Sequence, residues 1–338
     1  MNAPTTMEAL LVEELPTGPE WRFEPKWDGF RCLAVRTGGD VALWSRSGKP
    51  LGRYFPEVVA LMAGLPGGDF ILDGELVIET ADGLSFDALS QRLHPAESRV
   101  RKLAAETPAL FIAFDLLREG EKDLTSLPLA KRRERLQAFI AKKNDPHLLL
   151  SPQSADRGQA SEWLGRSGGA LDGVVAKRAD EPYRAGERAM LKIKRHRSAD
   201  CVIGGYRVDT KGDGVASLLL GLYGDDGLLH HVGFCSSFKA AERRAWAAEL
   251  APLEGGSGFT GNRPDKASRW SNERTAAWIP LRPDLVVEVL YDQVTGGRFR
   301  HGTRLLRRRP DKRPDQCRCD QLRHPLTPVE LADLVRTS

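Results

Sequence analysis

The sequence predicts an α+β fold in two parts: a mixed first region with mainly antiparallel sheets, and a second region that forms a small β-barrel. Three observations support this prediction. The chain has 338 residues, a length that favours two cores over one. Short apolar runs, closed by Gly or Asp, alternate with helical stretches up to residue 195. From Cys201 onwards, strand patterns follow one another with one intervening helix.

The first region contains a predicted hairpin, further strands and two helices. The stretch RCLAVRTGGDVALWSRSGK, residues 31–49, predicts two strands joined by a turn at 37–40 that contains Gly-Gly-Asp. Other apolar runs predict strands of a largely antiparallel sheet. These strands are expected at 70–72, 76–78 and 110–114, and the helices at Glu57–Met62 and Leu129–Lys142.

The second region is predicted from four strand patterns and a helix at Lys239–Leu250. The strand patterns are CVIGGYRV, SLLLGLY, LLHHVGF and VVEVLYDQV. Short strands with one helix between them are typical of an OB-like barrel. The polar segment 196–200 is the predicted hinge linker. We therefore expect domains at 1–195 and 201–320, followed by a tail at 321–338 that is helical over Pro325–Ser338.

Composition limits the class of protein. Hydrophobic residues make up 41% of the chain and charged residues 28%, proportions typical of soluble globular proteins. The sequence contains neither a run of ~20 apolar residues nor a leader pattern, so we expect a cytoplasmic location. The five cysteines form no CxxC pair, which argues against a disulfide framework or a zinc ribbon. The arginine-rich segment 298–318 is either a phosphate-binding surface or a solvated basic face.

The octapeptide at residues 24–31, Glu-Pro-Lys-Trp-Asp-Gly-Phe-Arg, carries the chemistry. A lysine nucleophile attacks only when unprotonated, and its ordinary pKa is about 10.4. Burial and neighbouring cations are therefore expected to lower the pKa of Lys26. Gly29 would permit close backbone approach, Asp28 would face a metal, and Arg31 would hold an anionic group. For this motif alone, a surface turn is the alternative interpretation.

Seven short motifs occur along almost the whole chain, in the order found in one enzyme family. The chain resembles the covalent nucleotidyltransferases, and most closely the ATP-dependent DNA ligases of the bacterial ligase C type. Several weak patterns in one fixed order are jointly specific. The motifs are KWDGFR at 26–31, SRSGK at 45–49, DGE at 73–75, FDL at 114–116, DGVVAK at 172–177, KIK at 192–194 and RPDK at 309–312.

This resemblance implies a nucleotidyltransferase (adenylation) domain followed by an OB-fold domain. It also implies a reaction in three steps. Lys26 attacks the α-phosphate of ATP, which expels pyrophosphate and leaves AMP on the lysine nitrogen. The AMP passes to a DNA 5′-phosphate, and the 3′-hydroxyl then attacks that phosphate, releasing AMP and closing the nick. Each step moves charge on phosphorus, which explains a site rich in cations and carboxylates.

The resemblance assigns roles to residues in the first four motifs. Arg31 and Arg46 are implied to hold the ribose and phosphates, where a guanidinium fork grips two oxygens. Glu75, with Asp28, is implied to contact the ribose or a divalent metal, Mg²⁺ or Mn²⁺. Phe114 is implied to stack on adenine, although an aromatic residue in an apolar strand is more often part of the core.

The later motifs complete the implied nucleotide site. Asp172 is implied to bind metal, but the commoner ligase residue here is glutamate, so the shorter carboxylate would reach the metal through water or a shifted backbone. Lys192 and Lys194 are two positions apart, which places both on one face of a strand and directs them at phosphate. The alternative for this pair is an exposed basic strand edge. Glu24 and Lys177 are also expected to contact the nucleotide.

The last motif belongs to the barrel domain. The resemblance gives Arg309, Asp311 and Lys312 the task of orienting pyrophosphate when that domain closes over ATP. Closure requires the linker to act as a hinge, and the domain would later swing away so that the barrel holds DNA. The segment 300–313 is the expected phosphate-contacting surface, helped by a loop such as Asp209–Gly214.

Two other functions stay open from the sequence. A GTP-dependent capping enzyme or an RNA ligase would share the lysine motif, and a non-catalytic OB-type protein would share the basic segment. The motifs at 45–49 and 172–177 favour DNA ligase, and the intact lysine motifs favour an enzyme. Because Lys26 lies near the first residue, we expect a minimal ligase core. It should act as a monomer on nicked duplex DNA at the nucleoid, in repair or end joining, alongside a polymerase or a DNA-end-binding protein.

Overall fold

The protein divides into two compact units. Unit 1 comprises residues 1–195 together with 325–338, and unit 2 comprises residues 196–324. None of the helices in the described ranges combines the length and apolarity needed to cross a membrane. The computed structural model describes residues 3–81, 83–142, 145–167, 171–195, 197–209, 214–264, 277–322 and 327–336.

Unit 1 contains two sheets with helices packed against them. Its helices are α1 (Pro56–Gly64), α2 (Phe86–Gln91), α3 (Glu97–Glu106), α4 (Leu129–Ala141), α5 (Arg157–Gly165) and α7 (Pro328–Arg336). Its strands are β1 (Ala9–Val12), β2 (Trp21–Trp27), β3 (Phe30–Thr37), β4 (Asp40–Ser45), β5 (Phe70–Thr80), β6 (Gly83–Leu84), β7 (Ala109–Glu119), β8 (Lys122–Asp123), β9 (Leu148–Leu150), β10 (Leu171–Arg178) and β11 (Met190–Ile193).

The two sheets of unit 1 are mostly antiparallel, as predicted. The larger has the order β4-β3-β5-β7-β8, with β6 on β5 and β9 on β7. The smaller has the order β1-β11-β10-β2. Only β1 with β11 and β7 with β9 pair in parallel among the described strands. The predicted hairpin is confirmed as β3 and β4, whose turn uses positive φ at Gly38 and Gly39.

One strand prediction was wrong. The runs 70–72 and 76–78 belong to a single strand, β5, because the intervening Asp-Gly-Glu stays in the sheet. At Gly74 a Cβ would lie 2.4 Å from the ring of Phe111 and 2.6 Å from the Ile112 carbonyl oxygen, so only glycine fits against β7. Asp73 is fully buried, and its carboxylate is paired with Arg31. These contacts keep two polar side chains and a glycine inside a strand.

Helix α7 closes the core between the smaller sheet and α5. Leu331 and Leu334 are almost completely buried in a cluster that also contains Trp27 and Trp163. The predicted helical tail is thus confirmed over Pro328–Arg336, while residues 323–326 and 337–338 lie outside the described part of the chain. A segment that follows unit 2 in the sequence therefore belongs to the core of unit 1.

In its described residues, unit 2 is a curled sheet with one α-helix, as expected for an OB-fold. The sheet has the order β14-β13-β12-β16-β19, with β15 on β12, and a parallel bridge between Cys235 and Thr303 joins its two ends. The helix is α6 (Ala240–Leu250). The strands are β12 (Arg197–Val208), β13 (Val215–Tyr223), β14 (Leu229–Cys235), β15 (Ile279–Pro280), β16 (Val286–Tyr291), β17 (Val294–Thr295), β18 (Arg298–Phe299) and β19 (Arg304–Arg308).

The segment predicted as a linker is largely part of the barrel. Residues 197–200 begin β12 and pair with β16. The side chain of Ala199 is buried, whereas those of Ser198 and Asp200 on either side are more exposed, as the alternation of a strand requires. Residue 196 lies outside the described residues, as do 210–213 in the loop that was expected to help bind DNA. The hinge role of 196–200 stays a prediction.

Candidate active site

Unit 1 contains a cavity of about 840 Å³ between its strands. Nucleotide-sized ligands commonly occupy cavities of ~300–1,000 Å³. The walls also include residues that the motifs did not single out, among them Tyr54, Leu93 and Met190. The predicted site residues that line it are Glu24, Lys26, Arg31, Arg46, Glu75, Phe114, Lys177 and Lys192.

Lys26 is held beside the cavity by Asp172. Strands β2 and β10 pair antiparallel, and their register shifts between Leu171 and Gly173, where Asp172 lies. Gly173 has φ +132°, and a Cβ there would lie 2.0 Å from the Ile193 carbonyl oxygen, so glycine is required. The irregularity places Asp172 Oδ2 2.6 Å from Lys26 Nζ. The candidate nucleophile is thus seated by a carboxylate.

Asp172 also binds Lys194, so it bridges two lysines. Its Oδ1 lies 2.8 Å from Lys194 Nζ. Burial raises the pKa of Asp172, but the charges and hydrogen bonds of Lys26 and Lys194 outweigh burial and hold this pKa below its usual value. We call this group the Asp172 triad. Asp172 was expected at a metal; in this structure its carboxylate contacts two ammonium groups, and the metal role stays a prediction.

The two lysines of the last unit 1 motif do not act as a simple pair. Lys192 lies in β11 and lines the cavity, whereas Lys194 follows the end of that strand and binds Asp172. Partial burial lowers the pKa of Lys192, and the nearby charges of Lys26, Lys194 and Arg46 lower it further. Four cations therefore converge on one side of the cavity, where a polyphosphate would be attracted.

Arg31 makes different contacts from those expected. Its guanidinium binds Asp73 at two points, Nε to Oδ1 at 3.0 Å and Nη2 to Oδ2 at 2.7 Å. Its Nη1 donates to the carbonyl oxygen of Met7 at 2.6 Å, and the hydroxyl of Tyr183 donates to Asp73 Oδ2 at 2.8 Å. The fork that was predicted to grip the nucleotide is thus occupied within the protein. In this structure Arg31 shapes the cavity wall.

Glu75 supplies a carboxylate to the cavity wall, and the charge of Asp28 acts on it. Burial raises the pKa of Glu75 to about 8; Lys26 and Arg31 oppose this rise, while Asp28 and Asp73 add to it. Within the described residues, no cluster of three or more His, Cys, Asp or Glu side chains is arranged to hold a metal. The predicted set of Asp28, Glu75 and Asp172 is therefore not gathered into one three-carboxylate site.

Phe114 and the buried ion pair of Lys177 with Glu24 form another part of the cavity wall. The Nζ of Lys177 lies 4.7 Å from the centre of the Phe114 ring, close enough for a cation–π contact. Lys177 Nζ also lies 2.7 Å from Glu24 Oε2, and Gln153 Nε2 donates to Glu24 Oε1 at 2.8 Å. Phe114 is only half-buried and faces the cavity, so it is available for stacking. The role of Gln153 carried no signal in the sequence.

A second buried layer lies behind this wall and was not predicted. Arg132 and Asp115 are almost fully buried and form two hydrogen bonds of 2.9 Å. Arg133 Nη2 donates to the carbonyl oxygen of Ser151 at 2.7 Å, and the hydroxyl of Ser151 accepts from Trp27 Nε1 at 3.0 Å. Helix α4 is thus connected through Ser151 to the residue next to Lys26. These contacts join residues that are far apart in the sequence, so they become visible only in the folded structure.

The last motif lies in unit 2 and forms a second aspartate-bridged group. Asp200 Oδ1 lies 2.8 Å from Arg309 Nη1, and Asp200 Oδ2 lies 2.7 Å from Lys312 Nζ. We call this group the Asp200 triad. Asp311 pairs with Arg309 at 2.9 Å. The residues expected to orient pyrophosphate are therefore close together, and each is held by a carboxylate.

Other arginines of the basic segment are also ion-paired. Arg307 lies 2.7 Å from Glu288, and Arg308 binds Glu249. Arg313 lies 2.8 Å from Asp315. Sequence inspection found only Asp311 and Asp315 as opposing charges, because Glu249 and Glu288 are distant in the chain. Much of the positive charge at 307–313 is therefore neutralised locally.

Comparison with known proteins agrees with this geometry. Residues 5–194 match the family model of the ATP dependent DNA ligase domain, and residues 211–312 match that of the ATP dependent DNA ligase C terminal region. DNA ligase C1 of Mycolicibacterium smegmatis is 47% identical over 90% of this chain and 89% of its own length. The chain belongs to the ATP-dependent DNA ligases of the bacterial C type.

Two further relatives extend the comparison of this ligase. The multifunctional non-homologous end joining protein LigD of Mycobacterium bovis is 32% identical over 88% of this chain but only 37% of that protein. A solved mycobacterial DNA ligase D, complexed with ATP and MES, superposes with a TM-score of 0.50 at 28% identity, covering 93% of this chain and 97% of the other. The matches to both ligase family models support the predicted combination of a nucleotidyltransferase unit and an OB-fold unit.

Proposed function

We propose that this ligase seals nicks in duplex DNA through an AMP carried on Lys26. The observation that carries the proposal is the position of Lys26 Nζ, beside a nucleotide-sized cavity and 2.6 Å from Asp172. Phe114 offers an aromatic face in the same cavity, and Lys192 and Arg46 add positive charge. This combination suits a nucleotide with a stacked base and anionic phosphates.

The reaction proceeds by three displacements at phosphorus. The unprotonated Nζ of Lys26 attacks the α-phosphate of ATP, the bond to the β-phosphate oxygen breaks, and pyrophosphate leaves. The 5′-phosphate oxygen of the nick then attacks the lysine-bound AMP, which frees the amine and leaves AMP on the DNA. Finally the 3′-hydroxyl attacks the activated 5′-phosphate, losing its proton, and AMP departs. Cations positioned around the cavity stabilise the charge that develops in each step.

We propose that a divalent cation, Mg²⁺ or Mn²⁺, assists in the cavity. Glu75, which lines the cavity, would provide a hard oxygen donor, with Asp28 as a second candidate. Mg²⁺ commonly uses one or two carboxylates while substrate phosphates and water complete its shell. The cation would add positive charge where phosphate oxygens become more negative. Asp172 would contribute only if it released Lys26 and Lys194. Removing a carboxylate at Glu75 should weaken the metal dependence of the first step.

We further propose roles for unit 2 and for the biological setting. Arg309 and Lys312 would orient the leaving pyrophosphate, and unit 2 would then contact DNA. The relative named as an end joining protein supports action in repair or end joining, in the cytoplasm at the nucleoid. A polymerase or a DNA-end-binding protein would be the partner, and the ligase itself would be a monomer.

A labelling experiment tests the central proposal. The protein is incubated with ATP labelled on the α-phosphate, denatured and analysed for covalent label. Lys26→Ala and Lys26→Arg should both give no adduct, because neither side chain supplies an unprotonated amine. Lys26→Arg keeps the positive charge beside Asp172, so it separates loss of the nucleophile from loss of the ion pair.

A control and a competing substrate complete this test. Lys142→Ala removes an exposed lysine at the end of α4 and should label like the wild type. Labelled GTP in parallel tests the capping-enzyme alternative. A normal adduct in Lys26→Ala would contradict the proposal, and a preference for GTP would change the substrate.

A further inference from the structure

A buried histidine in unit 2 supports an exposed arginine. His231 lies in β14 and is only 4% exposed. Its Nδ1 lies 2.9 Å from Nη2 of Arg298, which is exposed on β18. An arginine can only donate hydrogen bonds, so Nδ1 must be the acceptor and the ring proton lies on Nε2. The histidine thus fixes one N–H of the guanidinium, and the other N–H groups make no hydrogen bond to the residues that the structure describes.

The surroundings keep His231 neutral. Burial lowers its pKa to about 3, helped by the charges of Arg298 and Arg207. Its ring packs edge-on against Phe259, with ring centres 5.1 Å apart. The Nε2 atom is buried and has no hydrogen-bond partner within the described part of the chain. A neutral ring whose tautomer is fixed by its contact with Arg298 supports that cation and adds no charge of its own.

Within the part of the chain that the structure describes, neither of the two arginines forms an ion pair with a carboxylate. Among the ion pairs of the described residues, Arg207 and Arg298 do not occur, whereas Arg307, Arg308 and Arg313 each bind an acid. The Nε of Arg207 is buried without a hydrogen-bond partner, and burial alone lowers the pKa of this residue. A desolvated guanidinium is most stable when an anion compensates its charge.

The hairpin that presents Arg298 is compact and open at its tip. Strands β17 and β18 pair antiparallel, joined by Gly296 and Gly297, which both have positive φ. A Cβ at Gly297 would meet nothing within 4 Å. The exposed side chain of Arg298 therefore follows directly after a tight turn whose Gly297 has open space beside it.

We propose that Arg298 binds a backbone phosphate of the DNA substrate, with His231 as its positioning residue and Arg207 as a further source of positive charge. This inference rests on the proposed function, since it takes nicked duplex DNA as the substrate. Guanidinium groups bind phosphate through paired N–H donors, and phosphate contacts position a protein on a duplex. On this proposal, the positive charge of unit 2 that contacts DNA comes from Arg298 and Arg207, and not from the ion-paired segment 307–313.

Salt dependence of DNA binding tests the proposal. The dissociation constant for a nicked duplex is measured over a series of KCl concentrations. Each lost phosphate contact lowers the slope of log affinity against log salt by about 0.9. Arg298→Gln should show this loss and bind several-fold more weakly, and Arg207→Gln should show a smaller loss. The matched control is Arg307→Gln, whose partner is Glu288, and its slope should equal that of the wild type.

Variants of the histidine separate positioning from charge. His231→Leu removes the acceptor but keeps the charge of Arg298, so it should weaken binding with little change in slope. His231→Asn can supply an acceptor oxygen near the position of Nδ1 and should restore affinity. If His231→Leu bound DNA like the wild type, the positioning role would be wrong.

Two further measurements separate this proposal from the proposed function and distinguish a DNA phosphate from free phosphate as the bound anion. Covalent labelling by ATP should be normal in all these variants, so loss of labelling in the wild type would defeat the proposed function and not this inference alone. Inorganic phosphate, compared at equal ionic strength, should not displace DNA; specific displacement that depends on Arg298 would indicate a site for free phosphate. Unchanged slopes in both arginine variants would overturn the proposal.

Discussion

The two units contain the same ionic arrangement in different settings. In unit 1, Asp172 bridges Lys26 and Lys194 at 2.6 and 2.8 Å. In unit 2, Asp200 bridges both cations of the segment Arg309–Lys312 at 2.8 and 2.7 Å. Both aspartates are mostly buried, with 11% and 13% of their side chains exposed. Each group leaves one net positive charge, so a phosphate must compete with a carboxylate for these cations.

The difference between the triads is what the aspartate holds. Asp172 holds the proposed nucleophile, so moving this carboxylate moves the reacting atom itself. Asp200 holds residues proposed to act on the leaving group, which need only provide charge over a broader region. The same ion pairs are therefore expected to have unequal effects on catalysis. Predictions about the two aspartates and their partners test this inequality.

The largest effect is expected for Asp172→Asn. Losing the carboxylate frees both lysines, and displacement of a reacting atom by ~1 Å can cost about 10²-fold in rate. Adduct formation from labelled ATP should therefore slow by roughly 100-fold. Asp172→Glu restores the charge with the commoner ligase residue and should recover most of the rate. A rate within a few-fold of wild type in Asp172→Asn would show that the carboxylate does not position Lys26.

A smaller effect is expected for Lys312→Ala. Loss of one cation from the leaving-group region should slow adduct formation by about tenfold, equivalent to about 1.4 kcal/mol of transition-state stabilisation. Sealing of DNA that already carries 5′-AMP should change less, since pyrophosphate has left by then. Asp200→Asn serves as the comparison, because it releases the same lysine without removing it. Equal losses in both steps would argue against a leaving-group role for Lys312.

A last contrast concerns the free energy of unfolding as a function of pH, in which the units should differ in sign. Glu75 has a pKa near 8 in the folded protein, above its ordinary value of about 4.3. The folded state therefore binds this proton more tightly, and stability falls as pH rises from about 4.3 to about 8, by at most about 1.4 kcal/mol per pH unit. Urea unfolding in EDTA should show this decline in the wild type and a weaker one in Glu75→Gln.

His231 of unit 2 provides the opposite case. Its folded pKa of about 3 lies below the ordinary value of about 6.5, so the unfolded state binds the proton more tightly. Stability from this group is lost as pH falls from about 6.5 towards 3. His231→Asn should reduce the loss on the acid side only. If Glu75→Gln and His231→Asn showed the same dependence of unfolding free energy on pH, these two groups would not account for the difference between the units.

The sequence predicted motifs and strands well because both are local. The hairpin β3–β4 and the helix α4 follow from turn residues and apolar periodicity within short windows. Motif order identified the family and placed Lys26, Phe114 and Lys177 at one cavity. Contacts between distant positions could not be predicted in the same way. The strand β5 was divided in error because the pattern could not show that Gly74 fits against Phe111.

At the site, the sequence did not show which side chains would pair with one another. Arg31 belongs to the first motif and Asp73 to the third, and nothing local indicates that they bind each other at two points. The support from Arg132 to Asp115 and from Arg133 to Ser151 likewise joins separate elements. The charge of the segment 307–313 was read without Glu249 and Glu288, which the folded sheet and helix α6 bring to it. The sequence shows where the cationic side chains are, but not which carboxylates they contact in the folded protein.

Helix α7 has a consequence for protein synthesis. Leu331 and Leu334 complete the core that contains Trp27, yet the ribosome makes them only after all of unit 2. At typical elongation rates of ~5–20 residues per second, the nascent unit 1 waits roughly 7 to 30 seconds for this helix. During that interval an apolar surface next to the strand of Lys26 stays uncovered. The nucleophile's own strand is therefore among the last parts of the molecule to receive its final packing, and unit 2 has the opportunity to fold before unit 1 is finished.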